Sequence, residues 1–197
     1  MLCLSLTPLL VLVLGVSLGA AFPHDTLRKD CRLFKYQKIA SEEQNATKEM
    51  MKEFFFSFFL RLSLQVNNHK CNTSLLHRKW KIEDLPIADR VVLVAAELNL
   101  TTAMLQLPAV PSFAEVCRRP LEFFTQARED VRGCPLSLQV DPSHQPSGRL
   151  RRWLHKLQEA MRTDTPETTA CLRASTIYNI LQVLNNLRCA ALQDKCG

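Results

Sequence analysis

Between residues 41 and 66 the apolar positions Met51, Phe54, Phe55, Phe58 and Leu62 recur at i, i+3, i+4, i+7 and i+11. That is the spacing of one face of an α-helix. Ser41 with Gln44 forms a capping-box pattern at its start. Phe56 and Leu60 fall on the opposite side, and five of the chain's ten phenylalanines lie within Phe54–Phe59. A single core face cannot bury them all, so this helix is either wedged between two others or shows part of itself to a partner. A second stripe, Val91, Val94, Ala95, Leu98, Thr102 and Leu105, predicts a helix with Asp84 as its cap and Pro86 in its first turn, ended by Pro108 and Pro111. A third runs Phe113, Cys117, Phe124, Ala127 and Val131 behind a Ser112/Glu115 capping box. Pro120 should kink that helix and Gly133 should stop it.

Two more helices complete the pattern. Ser147 precedes GRLRRWLHKLQEAMR, in which Leu150, Trp153, Leu154, Leu157 and Met161 make one face and Arg151, Arg152, His155 and Lys156 the other. The last begins with Thr165 as cap, Pro166 at the first position and Glu167 at the positive end of the dipole. It then runs without Gly or Pro to Leu192. Its apolar residues make two arcs rather than one: Leu172, Thr176, Ile180, Val183 and Leu187, and, more than 90° round, Ala174, Ile177, Tyr178 and Leu181. Such a helix is either central to a bundle or offers its second arc to a partner. No strand pattern appears, so the expected fold is all-α, a helical bundle. The connections from Val66 to Leu85 and from Cys134 to Gly148 are long enough to cross over, which permits an up-up-down-down order. The first carries Trp80, either lodged on the core or displayed as an interface anchor.

The chain has 197 residues, 47% hydrophobic and 22% charged, enough for one globular domain. Its first 21 residues carry no charged side chain and end with Gly19 and Ala21 at the −3 and −1 positions of a cleavage before Phe22. They read as a signal peptide, with a signal anchor as the alternative, and residues 22–197 as the mature domain. No other stretch is long and apolar enough to cross a membrane. Secretion turns the cysteines into a disulfide framework. Without Cys3, seven remain, an odd number with roughly a hundred possible pairings. Cys117, in the middle of an apolar stripe, is the natural choice for the free thiol. Cys189 and Cys196 look like a small terminal bridge. Asn45, Asn72 and Asn99 each head an N-glycosylation sequon.

Catalytic motifs are missing: there is no HExxH, GxSxG, GxGxxG or GxxxxGK[ST]. The five histidines are dispersed, and no second close pair joins Cys71 and His77 to complete a metal site. The sequence therefore predicts no enzyme, cofactor or metal. The formal net charge is +6. The cluster at Arg149–Lys156 is a solvated helix face, a surface for an acidic protein, or a glycosaminoglycan site. Nucleic acid does not suit a secreted chain.

The segment GRLRRWLHKLQEA, followed after a short gap by CLRASTIYNILQVL, resembles the last third of the type III interferons (interferon lambda), class II helical cytokines of the interleukin-10 group. Weaker similarity extends through HRKW around Trp80, VAAELNLT around Glu97 and Pro120-Leu121, while Arg173 replaces the acidic residue usual in the motif. The resemblance implies an up-up-down-down helical cytokine bundle, with bridges Cys31–Cys134, Cys71–Cys171 and Cys189–Cys196 and Cys117 left over. The first two bridges would each contribute about 4–5 kcal/mol in the chain-entropy model. It also implies a secreted monomer that binds two class II receptor chains. The interferon lambda receptor chain would be met by Trp80, Tyr178 and Leu181, and the shared interleukin-10 receptor beta chain by Arg152 and His155. Dimerising them would trigger Janus kinase–STAT signalling and an antiviral state. The alternatives are another interleukin-10-group cytokine with different receptors, or a secreted glycosaminoglycan-binding or carrier protein.

Overall fold

The computed structural model describes residues 32–64, 76–134, 144–162 and 165–196, with backbone alone for 58–64 and 194. The expected signal peptide, Cys31, Cys71 and Asn72 lie outside the described residues. Within them are six α-helices and no strand: α1 (Ser41–Leu64), α2 (Ile87–Leu105), α3 (Pro111–Arg132), α4 (Gly148–Arg162), α5 (Pro166–Tyr178) and α6 (Ile180–Leu192). Short 3-10 turns at Leu33–Gln37, Ile82–Asp84 and Gln193–Lys195 flank α1, α2 and α6. No described helix is long and apolar enough to span a membrane.

Side-chain contacts give the direction of each helix. Arg119 of α3 meets Glu43 near the start of α1, while Phe113 at the start of α3 meets Phe54 further along α1. These two helices are therefore antiparallel. Thr102 of α2 pairs with Arg128 and Leu105 with Cys117, so α2 and α3 also run oppositely. Arg90 reaches Gln193 and Glu97 reaches Asn186, which sets α6 antiparallel to α2. The long helices α1, α2, α3 and α5–α6 thus run up, up, down and down, and α4 is a short fifth piece touching α2 and α5.

Helix α2 is the centre of this bundle. From Val91 to Leu105 its only charged side chain is Glu97, and Asn99 is the only residue of the helix exposed to solvent. The apolar stripe read from sequence is inside, with Val91, Val94, Leu98 and Leu105 each no more than 3% exposed, and Leu93 and Leu100 are equally buried. The α3 stripe behaves similarly: Phe113, Cys117, Phe124, Ala127 and Val131 are all buried, and the helix carries Pro120 within one continuous span.

Helix starts depart from the sequence reading. Helix α1 takes its first hydrogen bonds on the Ala40 carbonyl, and Gln44 donates to Ile39 rather than forming a box with Ser41. Helix α3 begins one residue before Ser112, because Pro111 supplies a preset first position. Asp84 does not cap α2; its carboxylate accepts from the Lys81 N–H and closes the 3-10 turn. In α1 the innermost side chains are Thr47, Met50 and Phe54, with Met51 and Phe55 only partly covered. Met161 is 48% exposed instead of buried, since α4 has only α2 and α5 to pack on. At the last helix Thr165 caps as expected, accepting from Thr168 N–H, with Pro166 following. The single span read from sequence, however, is divided at Asn179. There the backbone N–H is shared between the Ser175 and Thr176 carbonyls, at 3.2 and 3.1 Å. The amide side chain also donates to the Ser175 carbonyl at 2.7 Å, which disturbs the helical ladder.

The base of the bundle is closed by Arg90. Its buried guanidinium donates to the carbonyls of Leu85 (2.9 Å), Gln193 (2.6 Å) and Glu83 (3.0 Å). These oxygens lie before α2 and beyond the end of α6, where Gln193 adopts φ 52°. Arg90→Leu would leave them unpaired, and the expected loss is about 2–4 kcal/mol, read as a lower urea midpoint. An unchanged midpoint would show that the contacts contribute nothing.

Candidate interaction surfaces

The two arcs of the last helix do not divide as core and surface. Ala174 and Ile177 are buried with Leu172, Thr176, Ile180, Val183 and Leu187, because α5 is enclosed by α1, α2 and α4. Only Tyr178 (60% exposed) and Leu181 (37%) emerge from the second arc. Phe55 of α1 stands edge-on to the Tyr178 ring at 6.1 Å, and Phe56 beside it is 69% exposed. An apolar surface therefore joins α1 to the α5–α6 junction through Phe55 and Tyr178.

The basic residues Arg149, Arg151, Arg152, His155 and Lys156 are exposed along α4, while Leu150, Trp153 and Leu157 hold its other face on the bundle. His155 lies 3.5 Å from Glu159 one turn on, so Arg152 is the less encumbered of the two residues singled out there. The start of α4 is fixed by Asp89 of α2. Its buried carboxylate accepts from the Ser147 backbone N–H at 3.1 Å and meets His144 Nε2 at 2.8 Å. Burial works against the charged form of Asp89. Hydrogen bonds from Ser147 and His144 together outweigh it and hold the pKa below the usual carboxylate range.

Trp80 is half-buried and belongs to neither exposed face alone. Among the described residues no ring contact joins it to Tyr178; it packs on the Arg78 guanidinium, 4.8 Å from the ring centroid. The other face of this assembly is Trp153 of α4, at 5.4 Å. Arg78 is 8% exposed and its Nη2 lies 2.9 Å from Glu97. Both Glu97 oxygens accept from the Asn186 amide, at 3.0 and 2.8 Å. Burial pushes Glu97 above the ordinary carboxylate range, with Arg78 and Asn186 pulling the other way. Sequence reasoning missed this joint; its one signal was a carboxylate in the middle of an apolar stripe. A cavity of about 10 Å³ beside it, lined by Glu97, Thr101, Trp153 and Asn179 among others, is near the size of one water. It is too small for a carried ligand.

Cys189 and Cys196 are joined. Cys134 and Cys171 are each disulfide-bonded, their expected partners Cys31 and Cys71 lying outside the described residues. Cys117 is a buried free thiol that donates to the Leu105 carbonyl at 3.8 Å. Burial raises its pKa, opposed by Arg173. Glu83, Cys189 and Cys196 cluster within ligand distance of one another, but the cystine leaves no thiolate for a metal. Arg173, the departure from the motif, donates to the carbonyls of Pro108 (2.9 Å) and Leu107 (3.1 Å) and covers the Phe113 ring, binding α5 to the α2–α3 turn. Of the sequon asparagines, Asn45 and Asn99 are exposed.

Residues 28–193 match the family model described as Interleukin-28A. The chain belongs to the interferon lambda family. It is 47% identical over 196 residues to interferon lambda-3 of Gallus gallus, covering 100% of both chains. Identity to interferon lambda-1 of Homo sapiens is 28%, covering 89% of this chain and 84% of the relative. For interferon lambda-2 of Mus musculus it is 29%, covering 85% and 83%. The chain is thus a type III interferon, a cytokine and not an enzyme.

Two outcomes follow from the titrating groups of this type III interferon. Because the folded pKa of Asp89 is depressed, its contribution to stability is complete above the ordinary value near 4. That contribution disappears as pH falls through the lower folded value. Thermal melts from pH 7 to 3 should show a smaller acid-dependent decline in Asp89→Asn than in wild type; identical declines would remove Asp89 from the acid response. The Cys117 thiol should react with a disulfide reagent only after urea unfolds the protein, and rapid labelling of one thiol in the native state would contradict its burial.

Proposed function

We propose that this type III interferon is a secreted monomer that joins two class II cytokine receptor chains, the interferon lambda receptor chain and the interleukin-10 receptor beta chain. Their pairing activates Janus kinases and STAT factors and produces an antiviral state. The observation that carries the reading is the presence of two chemically different exposed faces on one bundle. One is apolar, with Phe55 against Tyr178, and Leu181, on α1 and the α5–α6 junction. The other is basic, along α4. An exposed aromatic cluster beside partly buried neighbours has the make-up of an interface centre, and a basic helix face suits an acidic partner surface.

On this reading Tyr178 and Leu181 meet the type-specific chain, with Trp80 contributing from the edge of the joint it shares with Arg78. Arg152 and His155 meet the shared chain. The bridges Cys31–Cys134 and Cys71–Cys171, with Cys189–Cys196, hold the loops and the last helix in register. Residues 1–21 serve as the signal peptide of a domain spanning 22–197. Glycans at Asn45, Asn72 and Asn99 fall on neither α4 nor the last helix, leaving both free.

Purified protein applied to cells with and without the interferon lambda receptor chain should raise STAT phosphorylation only when the chain is present. A response that persists without it rejects the assignment. Leu181→Asp should weaken binding to that chain by about tenfold or more, the loss of one apolar interface contact. Circular dichroism and the melting temperature should stay close to wild type, since the side chain is 37% exposed. Unfolding of the variant would place Leu181 in the core instead.

A further inference from the structure

The geometry points to Arg78 as a positioning residue: its guanidinium, held between Trp80 and Trp153 and anchored on Glu97, fixes the Trp80 segment against α4 and so sets the two proposed receptor faces in one relation. The inference rests on the functional reading above for its consequence, and on contacts alone for its mechanism. Trp80 comes from the irregular segment before α2, and Trp153 from the buried side of α4. Nothing in the backbone ladder joins these pieces. The planar cation between their rings, 4.8 Å from one centroid and 5.4 Å from the other, does.

A guanidinium suits this place because it stacks on aromatic faces while its edge pairs with a carboxylate. At 8% exposure Arg78 touches little solvent, so it cannot itself contribute much direct contact to a partner. Its charge is instead directed inward, to Glu97, which Asn186 of α6 holds from the other side. The chain of contacts therefore runs from the Trp80 segment through α2 to α6 and, across the second ring, to the helix whose outer face carries Arg152 and His155. A shift of Trp80 and a shift of α4 are not independent while Arg78 is in place.

The chain has two tryptophans, and they are the two rings that flank Arg78, which makes emission a direct readout. In a Trp153→Phe background only Trp80 reports. There, Arg78→Met combined with Glu97→Gln removes the cation without leaving an unpaired buried charge. The expected result is a red-shifted Trp80 emission and greater acrylamide quenching, with the far-ultraviolet helical signal retained. Arg78→Lys keeps a charge opposite Glu97 but presents no planar group to the rings, and it should shift the emission in the same direction. Unaltered Trp80 emission in both folded variants overturns the proposal. So does loss of the helical signal in both, since Arg78 would then be a residue of core stability rather than a clamp. With Trp153 restored, binding of the double variant to each receptor ectodomain should weaken about tenfold, near the strength of a desolvated cation–π contact. Full affinity for both chains would overturn the coupling. If wild-type protein binds neither chain, the functional reading fails, while the emission of Trp80 still decides the clamp.

Discussion

A buried carboxylate in the middle of a central helix is a large cost unless it is met by a cation and by hydrogen bonds. Glu97 is that carboxylate, 7% exposed in α2. The groups that meet it come from far along the chain: Arg78 from the segment before α2, and Asn186 from α6. The requirement to satisfy Glu97 therefore dictates where the last helix lies and where the Trp80 segment returns to the bundle. Apolar burial supplies the gross stability, with Phe124, Leu98, Ile177 and Leu187 all fully enclosed, but apolar contacts tolerate sliding. A charged network with fixed donors specifies one arrangement.

The same economy of long-range polar ties recurs at the margins. Arg90 gathers the carbonyls at the base, Asp89 holds the start of α4, and Arg173 binds α5 to the α2–α3 turn. Asp130 accepts from Tyr36 at 2.6 Å and pairs with Lys35, fastening the N-terminal turn to α3. With these in place the exposed faces need no contribution to the core. Tyr178 and Leu181 can remain outside because Ala174, Ile177 and Ile180 already fill the inner side. The basic side of α4 is likewise spare, since Leu150, Trp153 and Leu157 do its packing.

Much of this was legible in periodicity. The α2 and α3 stripes follow from spacing that repeats every turn, and the Thr165 cap from residue type. Spacing put Tyr178 and Leu181 on a second arc without showing that Ala174 and Ile177 of the same arc are buried. Helix starts were less legible, because a proline or a free carbonyl displaced the Ser-based boxes at Pro111 and Ala40. The division at Asn179 left no sign stronger than a single polar residue among apolar ones. The Arg78–Glu97–Asn186 joint showed only as a carboxylate in an apolar stripe: Glu97 and Asn186 are 89 residues apart, and a local pattern does not name partners so distant. The resemblance to the type III interferons named the family from two motifs, yet it did not show that Trp80 packs with Arg78 rather than beside Tyr178.

Amide hydrogen exchange on the protein alone and bound to each receptor ectodomain in turn is the most direct test of two separate faces held by one buried joint. The interferon lambda receptor chain should protect the amides around Phe55–Ser57 and Tyr178–Gln182. The interleukin-10 receptor beta chain should protect Arg151–Lys156, with neither footprint spreading into the other. Protection of the same amides by both chains, or of neither region by either, would contradict it.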